Sequence, residues 1–385
     1  MSKAETAKEH ARTSIEARRD DLISMSHRIH GSPELAYEEE LASTWLAEAL
    51  AGAGYTVDKP AYDLATAFVA RRGGGPLHLA ICAEYDALPG VGHACGHNII
   101  ASAALGAAIG LAALADDLGL TISVIGTPAE EQGDAGGKII LLERGAFAEI
   151  HAAMMVHPFP QDAATPSMIA AAVFDVRYTG KEAHAAAWPW LGINAADALV
   201  VAQTSIGLLR QHVLPSDRIH GIVTKGGEAP NIVPAHTAAR YMVRSQRIED
   251  LHALRERVLH CFEAGALATG ATLEIHGGDK PYAQVEHDGQ LADIYVRNAT
   301  ALGRTFEVLE GPSGSTDMGN VSLAVPSIHP FIGIESLPAV NHQPEFAAAC
   351  VRPPADRAVV DAAIAMAWTA IEIALDDDQR ARLIH

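Results

Sequence analysis

The sequence predicts an α/β protein built on a mainly parallel sheet, with a second, α+β unit inserted into it. Two observations carry that reading. Up to residue 158, apolar strand-like runs alternate with helical stretches, the pattern of βαβ units. After residue 165 the order becomes strand, helix, two strands, helix, strand, and then the first pattern resumes. A chain of 385 residues has room for both units.

Taken in order, residues 15–30 and 38–52 have helical spacing, and Ser32-Pro33-Glu34 breaks them apart. An apolar strand, Leu77 to Ala83, runs into the polar, Gly/Pro-rich stretch Glu84 to Gly96. An Ala-rich helix over 98–115 follows. A second strand, Thr121 to Gly126, ends in Thr127-Pro128-Ala129-Glu130-Glu131. A helix over 137–145 leads to a third strand, Ala152 to Val156, which ends at His157-Pro158. The inserted unit begins with the strand Met168–Thr179. It continues with a helix over 194–212, strands over 218–224 and 236–244, a helix over 250–268 and a strand over 271–277. That βαββαβ order is ferredoxin-like. Gly277-Gly278-Asp279-Lys280-Pro281 reads as the exit linker. A helix over 288–302, a turn over Gly311–Gly319, a strand over 325–334 and a helix over 355–375 complete the chain. The expected division is therefore 1–168 with 282–385, and 169–281.

Composition removes several function classes. With 28 basic against 47 acidic residues the formal net charge is −19, so nothing neutralises a nucleic-acid backbone or an anionic membrane. The apolar run Ile99 to Ala115 is mostly Ala and Gly and reads as a buried helix rather than a membrane span. The N-terminus is charged and lacks an apolar signal-like core, so it reads as a surface helix. Cys82, Cys95, Cys261 and Cys350 are widely spaced and form no CxxC pair, which points to a reducing, cytoplasmic setting. The 19 histidines raise the expectation of metal chemistry.

The chemistry-bearing residues gather just after strand ends, where open α/β sheets bind ligands. Cys95 and His97 flank one glycine in His93-Ala94-Cys95-Gly96-His97-Asn98, and thiolate and imidazole both suit zinc and its neighbours. Glu130 and Glu131 follow the second strand. Adjacent carboxylates are costly when buried without partners, but one can bind a metal while the other handles a proton. In an extended segment they point to opposite sides. His157 follows the third strand. Read singly, these are a core cysteine beside a helix-start histidine, a solvated acidic loop and a core histidine. Three junctions that each supply a metal-type side chain favour the metal reading.

HACGHN, TPAEEQG, MVHPF, GKEAHAAAWP, EAPNIVP and GSTDMGNVS…VPSIHP…NHQPEF, with HRIHGSPELAYEEE near residue 30, resemble in order the motifs of the M20 metallopeptidases. The likeness spans essentially the whole chain. It is greatest to the aminoacylase and amidohydrolase branch, in the group of aminobenzoyl-glutamate hydrolase subunits and β-alanyl-lysine-type dipeptidases. The resemblance implies a phosphorylase/hydrolase-like catalytic domain and an inserted dimerisation and lid domain. It implies two divalent ions per chain, zinc first with manganese or cobalt as alternatives, and a small amide substrate with a free carboxylate. The implied ligands are Cys95, His97, Glu131, His157 and a last histidine, for which NHQPEF selects His342 over His329 of VPSIHP. Asp86 orients a ligand and Glu130 is the general base. His184 reaches the neighbouring subunit's site and stabilises the oxyanion. Asn231 and Arg244 hold the substrate carboxylate, with Ser315 and Thr316 of the 314–317 loop beside them.

The sequence departs from many such relatives at Asn98, Ile100 and Glu84, and at Thr316 in the Gly314–Asp317 loop. The implied activity is hydrolysis of an N-acyl amino acid or small dipeptide. The alternatives are a hydrolytic deaminase or other non-peptide C–N hydrolase, a non-catalytic binding homologue, and a thiol enzyme with Cys95 as nucleophile.

Overall fold

The computed structural model describes residues 2–385. Five strands come first in the chain: β1 (Thr56–Asp58), β2 (Phe68–Arg72), β3 (Leu77–Ala83), β4 (Leu120–Gly126) and β5 (Ala152–Met154). A short β6 (His157–Phe159) follows. The next group is β7 (Ala170–Thr179), β8 (Arg218–Lys225), β9 (His236–Ser245) and β10 (Thr272–Gly277). Last come β11 (Ser327–Ile328) and β12 (Phe331–Gly333).

The main sheet has the order β1-β2-β4-β3-β5-β11. β3 is parallel to β4 and β5, and β5 is parallel to β11. β1 and β2 add an antiparallel edge that the sequence reading missed, because both are short and β1 is solvent-facing. The fold is thus mixed α/β with a mainly parallel sheet. β3, β4 and β5 are buried along nearly their whole length and mostly apolar, as strands covered on both faces are. Ala83 pairs with Gly126, and Ile81 with Met154, so the carboxyl ends of these three strands lie close together.

The single strand expected over 325–334 is instead split between two sheets. β11 joins the main sheet, while β12 pairs in parallel with β6. Pro330 stands between them and has no N–H for a ladder. Its carbonyl accepts the His157 N–H at 3.0 Å, which ties this crossover to the start of β6.

The helix His97–Leu111 is buried at fourteen of its fifteen positions, so it has no solvent face and reads apolar all round. Small residues let the helix Pro353–Leu375 lie against it: a Cβ added at Gly106 would stand 2.7 Å from Ala363 Cβ. By length and composition Pro353–Leu375 passes for a membrane span. However, 78% of that apolar window is buried inside the protein, as in a core helix.

The second sheet, ordered β10-β7-β9-β8, is antiparallel throughout. Its strands alternate with period two. Phe174, Val176 and Tyr178 of β7, and Tyr241 and Val243 of β9, share one core with the helices Ala195–Leu209 and Ile248–Thr269. By the same alternation Arg240, Met242 and Arg244 occupy the other face of β9. β8 is an edge strand with Ile222 and Val223 exposed.

Candidate metal centre

Each side chain of the centre is set by a strand end or a tight turn beyond it. Asp86 follows β3, and its two oxygens serve two elements. Oδ1 is 2.9 Å from His97 Nδ1, and Oδ2 accepts the Glu131 N–H at 2.9 Å. His97 therefore donates from Nδ1 and turns Nε2 toward the centre, with its tautomer chosen by the carboxylate. Burial alone would lower the His97 pKa, but Asp86 and Glu84 raise it well above the usual value. His157 donates from Nδ1 to the Pro158 carbonyl at 2.8 Å, which leaves Nε2 3.4 Å from Cys95 Sγ. Burial pushes His157 down to about 4, so its ring is neutral and free to ligate.

Glu130 and Glu131 do not lie in an extended segment, as expected from the sequence, but in a 3₁₀ turn, Glu130–Gln132. Ala129 enters that turn in the left-handed region at φ 62°, and Glu39 accepts its N–H at 2.8 Å. Such a backbone costs about 1–3 kcal/mol and persists only where its surroundings enforce it. The turn brings both carboxylates to the same side: Glu130 Oε2 and Glu131 Oε1 each stand 3.9 Å from His97 Nε2. His342 also has a left-handed backbone, at φ 70°. Its N–H is bonded to the Ala94 carbonyl at 2.8 Å, and its Nε2 is 3.8 Å from Glu131 Oε1.

Two triads emerge from these positions. Cys95, His97 and His157 form one, and Cys95, Glu131 and His342 form the other. Cys95 belongs to both. Buried atoms without hydrogen-bond partners include His97 Nε2 and Glu131 Oε1. A buried polar atom left unpaired is expensive, and these two stand 3.9 Å apart, facing each other. The 3.4 Å between Cys95 Sγ and His157 Nε2 also suits a shared ion, since nitrogen and sulfur donors on one tetrahedral zinc lie about 3.5 Å apart. The donor set therefore fits divalent metal. His329, the competitor for the last position, lies behind His157, with ring centroids 5.5 Å apart, and joins neither triad. Burial holds its ring well below the usual pKa.

The cleft at the triads is also lined by Arg244, Ser315 and Thr316. Arg244 Nη1 donates to Ser315 Oγ at 2.8 Å, and no carboxylate pairs with Arg244 among the described residues. Asn231 and His184 are not brought to this cleft within the chain. Both are exposed, and the Asn231 carbonyl accepts the Ala185 N–H at 3.0 Å. His184 Nδ1 accepts the Ala186 and Ala187 N–H groups at 3.2 and 3.1 Å, so in the neutral ring Nε2 carries the proton.

Three supporting residues were not anticipated. Lys138 is fully buried and donates at 2.5 Å to both Glu84 Oε1 and Asp317 Oδ1. Tyr282 donates to the Glu130 carbonyl and accepts the Gly133 N–H. Glu39 is pushed up to about 7 by burial and by Asp86. Lys138 sits in a helix whose pattern marks it as surface, and Tyr282 directly follows the segment that reads as linker. Glu39 is one of three successive glutamates, and nothing local distinguishes it. Asn98, one of the departures noted above, is used structurally: its amide donates to Ser26 Oγ and to the Cys350 carbonyl.

The family model of Peptidase family M20/M25/M40 matches residues 80–356. The chain belongs to this family. It is a hydrolytic enzyme that cleaves amide bonds. It is 40% identical to the mouse (Mus musculus) Xaa-Arg dipeptidase over 96% of this chain and 89% of that protein. It is 32% identical to a p-aminobenzoyl-glutamate hydrolase subunit of Escherichia coli over 68% of this chain and 58% of that protein. Both relatives fall in the group that the motifs singled out. Among solved structures, the Bacillus subtilis YXEP protein, described as a dinuclear metal binding peptidase, superposes with a TM-score of 0.68 at 23% identity. That match covers 93% of this chain and 99% of the other and supports the fold.

Gly96 separates the two donors of the first loop at φ 82°, and an added Cβ would lie 2.5 Å from Pro158 Cγ. Gly96→Ala should destabilise the protein by about 1–3 kcal/mol and lower the metal retained per chain. Urea unfolding and elemental analysis of the same preparation check both.

Proposed function

We propose that the chain is a two-metal dipeptidase acting on dipeptide-like or N-acyl amino acid substrates, with a basic residue, arginine first, on the released side. The observation that carries this is the pair of donor triads sharing Cys95, with Glu130 and the unpaired Arg244 in the same cleft. The arginine preference rests on the likeness to the mouse Xaa-Arg dipeptidase. A formal net charge of −19 also favours the approach of a cationic substrate.

Cys95, His97 and His157 would hold one ion, and Cys95, Glu131 and His342 the other. Thiolate and imidazole donors favour zinc, with manganese or cobalt as alternatives. When bound, the ions polarise the scissile carbonyl and make water more acidic. Glu130 takes a proton from the attacking water and delivers it to the leaving nitrogen. Burial, with Glu84 and Glu131 nearby, raises the Glu130 pKa well above the carboxylate range, which suits a group that must hold a proton in mid-reaction. Arg244, supported by Ser315, binds the substrate carboxylate, and Thr316 lines the same wall. Burial among carboxylates pushes the Cys95 thiol well up, so without a cation it is not a thiolate nucleophile.

The 169–281 unit is proposed as a dimerisation and lid domain. The open edge of β8 presents exposed Ile222 and Val223, and the helix Ala195–Leu209 exposes Val200 and Leu208. Both suit a second copy of the chain. The dimer brings His184 to the partner's cleft, with Nε2–H available to the oxyanion and Asn231 alongside.

Release of free amino acid from Xaa-Arg, Xaa-Lys, β-alanyl and N-acyl amino acid substrates tests the specificity. Cleavage of the basic dipeptides first is expected, and indifference to the released residue overturns that assignment. With the best substrate, Glu130→Gln should retain its metal while kcat falls by about 10²–10⁴-fold.

Mixing His184→Ala chains with Glu130→Gln chains tests the action across subunits. A mixed dimer then has one site with both defects and one with neither, so about half the activity of a wild-type dimer should return. If His184 acts within its own chain, verified subunit exchange restores nothing.

A further inference from the structure

Glu84 is the nearest carboxylate to the inward nitrogen of His97, and the scheme above gives it no task. Its Oε2 is 3.4 Å from His97 Nε2, against 3.9 Å for both Glu130 and Glu131. Both atoms are fully buried and neither has a hydrogen-bond partner. Nδ1 of His97 is committed to Asp86, so Nε2 is the ring atom left to meet a cation, either a proton or a metal ion. The Glu84 oxygen faces it. Two such atoms facing each other in a dry interior need a cation between them, and no hydrogen bond joins them to supply a proton in that role. A nitrogen and an oxygen bound to one tetrahedral zinc stand about 3.3–3.5 Å apart, which is the separation found.

The rest of Glu84 is arranged to keep that oxygen in place. Oε1 is bonded to Lys138 Nζ, whose second partner is Asp317, and the Asp317 carboxylate also accepts the Lys138 backbone N–H at 2.9 Å. Although burial opposes ionisation, the Lys138 ammonium holds the Glu84 carboxyl below the usual carboxylate range. Glu84, His97 and Glu130 thus form a third donor set, distinct from the two triads but sharing His97 with one of them.

We propose that Glu84 is a further protein ligand of the ion bound at His97, held in position by Lys138. This rests on the two-metal reading above. It gives the His97 side an oxygen donor and one more negative charge, which biases that position toward harder ions than thiolate and imidazole alone would select.

The test uses the full chain, stripped of metal, reloaded with zinc and dialysed against graded chelator. Zinc per chain is read by elemental analysis, and the visible bands are read after cobalt reloading. Wild type should retain two ions. Glu84→Gln should hold one of them at least tenfold more weakly, leave the other unchanged, and alter the cobalt bands. Should the buried Lys138 charge prevent that variant from folding, Glu84→Gln/Lys138→Met removes both charges together, and the same loss is expected. Wild-type affinity for both ions in a folded variant overturns the inference, since a protonated His97 paired with Glu84 would leave metal binding unaffected. A wild-type chain that takes up no zinc would overturn the two-metal reading itself, and this inference with it.

Discussion

The centre of this protein is a crowd of buried or nearly buried negative groups. Glu84, Asp86, Glu130, Glu131 and Asp317 converge with the Cys95 thiol near the ends of three strands, and Lys138 is the ammonium buried among them. Like charges at these separations cannot all remain ionised in a poorly solvated interior without cations. One lysine does not balance them. Divalent ions would, and Glu84 Oε2, His97 Nε2 and Glu131 Oε1, left without hydrogen bonds, mark where they would sit. Much of the surrounding structure can be understood as the means of holding these groups together against their repulsion.

That holding is done by backbone as much as by side chains. The left-handed turns at Ala129, Gly96 and His342 each aim a donor inward, and each is clamped from elsewhere in the chain. Glu39 fixes the first through the Ala129 N–H. Pro158 packs against the second, and the Ala94 carbonyl secures the third. Asp86 links the His97 ring to the Glu131 backbone, so the orientation of one candidate ligand and the position of another are set by a single carboxylate. Below them the Ala-rich helix His97–Leu111 is gripped on all sides, which gives the first donor loop a rigid base.

The second sheet contributes differently. Its inner face is occupied by its own two helices, and Arg244 reaches the cleft from the other face of β9. His184 and Asn231 remain exposed together, joined through the backbone of Ala185 and Asn231. The cleft formed by one chain therefore contains the candidate metal donors, Glu130 and Arg244, but not His184, which the motif pattern attaches to this chemistry.

Sequence alone determined the alternation of strands and helices, because hydrophobic periodicity is local. It also determined which residue types stand just beyond β3, β4 and β5. That was enough to assemble Cys95, His97, Glu130, Glu131 and His157 as candidates, and the motif pattern added His342 and Arg244. What lay beyond the sequence was everything that depends on long-range closure. The choice of neighbour for Lys138 joins Glu84 to Asp317 across 233 positions of the chain (317 minus 84), and no local pattern encodes it. The split of the 325–334 segment between two sheets required the presence of β5 and β6 to pair with its halves. The 3₁₀ turn that places Glu130 and Glu131 on one side required Glu39, some ninety residues earlier, to accept the Ala129 N–H. A side chain's type is written in the sequence. Whether it is a buried ion, a ligand or a surface charge depends on what the fold packs against it, because the cost of burying charge is set by its neighbours and not by the residue itself.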